Sequence, residues 1–213
     1  MYKLFEPDGL FSRIMNTVLN LILLNLLWII CSLPVVTLGA STAALYAVLF
    51  KMRDGDDTRL VRRFLAAFRE NFLRATAVWL ALLAALVVCG LDLYLAAQTE
   101  STAARVVAVV GLLFVAMVWT FAFPLTARYE NVWHRQLKNA ALLALSQLPR
   151  LLLGWLPWAA CIALTIYSAE TMYMMILMWL MAGFSSLHYC NLMVLTPVFR
   201  RLEPAEEEEP KEV

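Results

Sequence analysis

Charge is scarce in this chain. Asp, Glu, Lys and Arg make up only 15% of its 213 residues, against 62% hydrophobic ones, a balance that does not suit a soluble domain. The formal net charge of +1 supplies no field that would draw nucleic acid or an acidic partner. Cysteine is sparse as well. Cys31, Cys89, Cys161 and Cys190 lie far apart inside or at the edge of apolar runs, without the CxxC or Cys/His spacing of a zinc site. They read as small buried hydrophobes.

The usual marks of enzymatic chemistry are missing too. The two histidines, His134 and His188, fall in different segments and neither belongs to an HExxH pattern. There is no GxSxG elbow, no glycine-rich phosphate loop and no closely spaced pair of carboxylates. The expectation is a protein without catalytic residues, metal or cofactor.

What the chain has in abundance is apolar length. Runs of about 20 apolar residues cross a bilayer's hydrocarbon core, and six segments come near that: about 14–33, 37–50, 76–97, 106–123, 151–168 and 172–199. The predicted fold is all-α, a polytopic helical membrane protein. Residues 1–203 form one integral membrane domain and 204–213 a disordered acidic cytoplasmic tail, with Glu206 to Glu209 in a row. Lys3 and Arg13 precede the first run as they would in a signal peptide. The run exceeds a typical h-region, however, and further spans follow, so a retained helix is the better reading.

Between the spans the charges are segregated. Residues 51–74 carry seven basic side chains against four acidic ones, and from Thr58 onward Leu60, Val61, Phe64, Leu65, Phe68 and Phe72 recur at helical spacings among arginines. That pattern predicts an amphipathic helix at the headgroup boundary. Residues 124–150 repeat the theme with Arg128, Arg135, Lys138 and Arg150 against Glu130, giving two cytoplasmic interfacial amphipathic helices in all. The loops near Gln98–Arg105 and Glu170 hold one basic residue and none. By the positive-inside bias, both termini and both basic segments are cytoplasmic.

Two landmarks recur. Arg74 and Trp79 are followed 76 residues later by Arg150 and Trp155, and Pro124 and Arg128 are followed 73 residues later by Pro197 and Arg201. Spans three and four would then correspond to spans five and six as a parallel repeat.

Polar residues within spans are the natural place to look for function. Asn16, Asn20 and Asn25 lie in the first span. Asn16 and Asn20 share a face, and counting from the cytoplasmic side places them at the depth of His188 and Asn191 in the sixth. These four would either hydrogen-bond the two spans together or line a polar site within a cavity. Asp92 lies about 27 Å of helix beyond Arg74, near the outer boundary. It is expected to reach water there, with an ion or proton site as the alternative. Gly39, Ala43 and Ala47 form a small-xxx-small stripe that admits a neighbouring helix closely.

Three stretches carry a family resemblance: Phe5-Glu6-Pro7-Asp8-Gly9-Leu10-Phe11, then Leu23 to Trp28, then Ser32-Leu33-Pro34-Val35-Val36-Thr37-Leu38-Gly39-Ala40-Ser41-Thr42-Ala43-Ala44-Leu45-Tyr46. With the helix ending Phe64-x-x-x-Phe68-x-x-Asn71-Phe72, the chain resembles the YesL-like family of bacterial membrane proteins, specifically over residues 4–80. The resemblance implies a bacterial plasma-membrane location and an association with sugar ABC importers and sensor kinases. It transfers no catalytic or binding residue. The leading expectation is therefore a non-enzymatic accessory or regulatory component of carbohydrate uptake, partnered by the lipid bilayer and by a sugar ABC permease or sensor kinase, not by nucleic acid; a homo-oligomer stays open. The alternative is a small secondary transporter or channel using the polar cluster.

Overall fold

The computed structural model describes residues 10–99 and 101–202, and everything described is helix, turn or short connection, with no strand among the described residues. Eight helices follow in order: α1 (Leu10–Ser32), α2 (Leu38–Arg53), α3 (Leu60–Ala97), α4 (Thr102–Arg128), α5 (Trp133–Ser146), α6 (Leu148–Tyr167), α7 (Ala169–Met178) and α8 (Phe184–Leu202). A 3-10 turn (Val35–Thr37) joins α1 to α2, and a π-helical segment (Trp179–Gly183) joins α7 to α8. Among the described residues six helical stretches are long and apolar enough to cross a membrane, which makes this a polytopic helical membrane protein. The acidic tail and the Phe5–Gly9 part of the N-terminal motif lie outside the described residues.

Pro34 ends α1 as expected, since the residue before proline is pushed out of helical geometry. Thr37 Oγ1 then lies 2.7 Å from both the Cys31 and the Pro34 carbonyl oxygens and shares its one proton between these two acceptors at the break. Helix α2 is apolar on every side, and such a helix has to be enclosed by protein. Every residue from Gly39 to Tyr46 is buried. Its small residues allow this. A Cβ on Gly39 would collide with Trp79 Cβ and stand 2.5 Å from the Ala75 carbonyl oxygen. The stripe of Gly39 and Ala43 thus serves an internal crossing of α2 and α3, where Ala43 packs with Ala75, while Ala47 is half-buried.

Helix α3 departs from the expected plan. Residues 58–74 were expected to form an interfacial helix of their own, yet residues 60–97 are one unbroken helix, about 57 Å long at 1.5 Å per residue. The apolar stripe read from the sequence is real, but Leu60, Phe64 and Ala75 are buried with Phe68 packed beside them. Its inner side packs on α2, while Val61 and Leu65 of the same stripe stay exposed. The second basic segment does form a separate amphipathic helix, α5, with Gln136, Ala140 and Ala144 buried on its inner side.

Because α2 runs back along the first half of α3, the α1–α2 turn ends beside Trp79, whose indole Nε1 donates to the Val35 carbonyl at 2.8 Å. Trp79 is only about 7 Å along the helix from Arg74, and a further 27 Å or so of α3 continues to Ala97. The hairpin therefore occupies the space between the longer helices and stops well short of their far ends. Its exposed turn residues, Leu33, Val35 and Val36, are apolar.

One end of the bundle gathers the basic residues. Arg53 Nη1 donates to Thr196 Oγ1 on α8 at 3.4 Å, the Arg128 guanidinium lies 4.8 Å from the Phe50 ring centroid, and Arg74 pairs with Glu130 at 3.8 Å. The ends of α2, α4 and α8 and the middle of α3 meet there.

Candidate functional site

Above the hairpin, the long helices leave a cavity of about 610 Å³. Its floor is Trp28 of α1 with Leu38, Thr42 and Tyr46 of α2. Its walls come from α4 (Trp119, Thr120, Phe123), α6 (Trp155, Trp158) and α8 (Phe184, His188, Asn191). At 1.5 Å per residue, Trp155 lies about 7 Å from Arg150, and Leu86, Val115 and Ile162 lie about 18–20 Å from Arg74, Arg128 and Arg150. A hydrocarbon layer about 30 Å thick places this lining well inside the membrane.

 The mouth is thus made by Leu86, Ala116, Ala159 and Ile162, all exposed, and the cavity opens sideways between α3–α4 and α6.

Most polar groups around the cavity are paired. Trp28 Nε1 donates to Thr42 Oγ1 at 3.1 Å, and Trp155 Nε1 donates to Thr120 Oγ1 at 2.9 Å, tying α6 to α4. His188 Nδ1 and the Tyr46 hydroxyl are 3.0 Å apart, and the His188 ring meets Trp158 edge-on at 5.3 Å between centroids. Asn191 makes no side-chain hydrogen bond among the described residues. It is 4% exposed, and its Oδ1 has no hydrogen-bond partner among the described residues. Gly154 on α6 makes room for it, since a Cβ there would come within 2.9 Å of that oxygen.

The polar residues singled out from the sequence separate into two groups. His188 and Asn191 line the cavity, whereas Asn16 is exposed on α1 and Asn20 Nδ2 donates to Asp57 Oδ2 in the α2–α3 connection at 3.2 Å. Among the described residues, no hydrogen bond links Asn16 or Asn20 to His188 or Asn191. The residue that joins the first span to the last is Asn25, which is completely buried. Its Nδ2 donates to the Trp179 and Leu180 carbonyls at 3.0 and 2.8 Å, and its Oδ1 accepts from Ser185 N–H at 3.0 Å. Both carbonyls belong to the π-helical segment Trp179–Gly183. Ser185 Oγ returns a bond to the Leu21 carbonyl at 2.7 Å. Asp92 is exposed on α3, away from the cavity, with no bond among the described residues.

The two repeat landmarks also have matching local chemistry. Arg74 donates to Asn71 Oδ1 at 3.0 Å and Arg150 to Gln147 Oε1 at 2.7 Å, each three residues back. Five residues on, each tryptophan donates inward, Trp79 to the hairpin turn and Trp155 to Thr120. No group of three or more metal-ligating side chains occurs among the described residues.

No curated protein and no solved structure matches the chain. Residues 21–93, which run from α1 through the buried hairpin into the apolar half of α3, match the family described as "Protein of unknown function, DUF624".

Proposed function

We propose that this protein is a non-enzymatic accessory or regulatory component of carbohydrate uptake in the bacterial plasma membrane, with both termini and the basic end of the bundle cytoplasmic. In this reading it binds a small ligand in its intramembrane cavity and acts on a sugar ABC permease or sensor kinase. The observation that carries it over a transporter is the character of the cavity. A solute pathway calls for a polar conduit, whereas these walls are largely aromatic, open sideways, and include neither Asn20 nor Asp92. The uptake association itself is supported by the resemblance to the YesL-like family, whose members carry the matched segment.

Crosslinking followed by affinity purification from detergent-solubilised cells, grown on inducing sugars, tests the partner. The expected result is recovery of a permease or kinase subunit. Sugar uptake by liposomes containing only this protein would establish the transporter instead.

A further inference from the structure

We propose that the cavity binds a neutral lipid alcohol, a hydrocarbon body bearing a hydroxyl group, which enters from the bilayer and hydrogen-bonds the Asn191 side-chain amide through Nδ2. This deepens the reading of the cavity as a ligand site, and it is tested on the purified protein, independently of any partner.

The route of entry follows from the mouth. Leu86, Ala116, Ala159 and Ile162 are apolar, exposed and at membrane depth, so what reaches the opening is dissolved in lipid. The walls then select against charge. Among the described residues no Lys, Arg, Asp or Glu lines the cavity, and an ion brought there would lose its hydration without a counter-charge. Trp28, Trp119, Trp155 and Trp158 present broad aromatic faces to a hydrocarbon body.

The polar requirement is equally specific. Asn191 Oδ1 is closed off against Gly154, and Asn191 Nδ2 makes no hydrogen bond among the described residues, on a side chain that lines the cavity. His188, 8% exposed, makes one hydrogen bond through Nδ1, which leaves Nε2 without one among the described residues. Three residues apart on one helix, the two side chains start roughly 5–6 Å from each other. A single hydroxyl between them accepts from Asn191 Nδ2 through its oxygen and donates its proton to His188 Nε2. A sugar would bring several hydroxyls to walls that are largely aromatic and aliphatic, and each unmatched one would forfeit its hydrogen bonds to water.

The chemistry fits two sources, an acylglycerol or a free long-chain alcohol, and the probes distinguish them. The protein is reconstituted in phosphatidylcholine nanodiscs and its tryptophan fluorescence is titrated with dibrominated diacylglycerol, dibrominated stearyl alcohol, the corresponding methyl ester, and dibrominated phosphatidylcholine. Saturable quenching by either alcohol, beyond that from the phosphatidylcholine, supports the proposal and identifies the source. Asn191→Leu is expected to weaken that binding about fivefold, the worth of one hydrogen bond. Ala159→Phe, at the exposed mouth, is expected to abolish it while leaving the core alone, and serves if Asn191→Leu does not fold. Quenching no steeper than that by phosphatidylcholine overturns the proposal. So does equal saturable binding of the methyl ester, or binding that survives Ala159→Phe.

Discussion

Helices α2 and α6 are both apolar and of similar length, yet they live in different surroundings. Along the most apolar 18 residues of the α2 stretch 61% are buried within the protein, against 11% for α6. Around α2, the neighbours α1, α3, α4 and α8 close a protein core; α6 presents Leu152, Leu153, Leu156 and Ile162 outward. Hydropathy measures the cost of exposing a side chain to water and is blind to whether lipid or protein replaces the water. Small residues distinguish the two cases. Gly39, Ala40, Ser41, Ala43 and Ala44 let α2 be surrounded closely, whereas the long side chains of α6 hold neighbours off and leave room for the cavity.

The largest effect that sharpens this comparison is a contrast in labelling. In a variant whose four cysteines are replaced by serine, a single cysteine at Val36 or at Gln98 is exposed to a membrane-impermeant maleimide outside intact cells. Gln98→Cys is expected to label and Val36→Cys to stay unlabelled, because the hairpin turn stops beside Trp79 while α3 runs on to Ala97. Equal labelling would mean that the hairpin crosses the membrane as fully as α3 does.

Next comes packing. Gly39→Leu is expected to cost about 3 kcal/mol or more, since its side chain would displace α3 at Ala75 and Trp79. Gly90→Leu, where a Cβ meets nothing within 4 Å, should change stability by no more than about 1 kcal/mol. Thermal melts of the two variants in detergent measure the difference. Comparable losses would remove the distinction between an enclosed helix and a lipid-facing one.

A smaller contrast concerns the junction of the first span with the last. Asn25→Ala removes three hydrogen bonds at a fully buried site and is expected to cost about 1–3 kcal/mol, whereas Asn20→Ala, at a partly exposed site, should stay within about 0.5 kcal/mol. Chemical denaturation of both in the same detergent reads the ratio, and an Asn20 effect as large as that of Asn25 would reverse the assignment.

That pair also shows how far the sequence was legible. The spans, the Pro34 break, the separate α5 and the polar residues of α8 follow from apolar length, proline geometry and charge. The partnership of Asn16 and Asn20 with His188 and Asn191 did not survive, because counting depth along each helix presumes that all spans begin in one plane. The α1–α2 hairpin is displaced along α3, so Asn20 meets Asp57 and the deeper Asn25 reaches α8. Nor does periodicity reveal that residues 60–74 continue into the span, since an amphipathic stripe packs equally well on a membrane surface or on another helix. The aromatic cavity was hidden for a similar reason. Its tryptophans are spread over α1, α4 and α6, and only the packing gathers them.

The finest contrast is between two connections. The α6–α7 turn is held by uncharged bonds: Ser168 Oγ accepts from Thr171 N–H and Thr171 Oγ1 accepts from Ser168 N–H. Ser168→Ala should cost about 1 kcal/mol, the same at any pH. The α2–α3 connection instead uses Asp56, whose carboxylate accepts from Arg63 Nη2 at 2.5 Å and from Thr58 Oγ1 at 2.9 Å. These bonds favour the ionised form and lower its pKa from 3.8 to about 2. A carboxylate with a depressed folded-state pKa contributes stability that is present above its unfolded value and is lost as the pH falls through the folded one. The melting temperature should therefore gain a downward slope between about pH 4 and 2, which Asp56→Asn flattens and Ser168→Ala leaves in place. Because the pair is open to solvent, salt should shrink that slope as well. An acid slope that persists unchanged in Asp56→Asn would assign it to another carboxylate and leave the two connections alike.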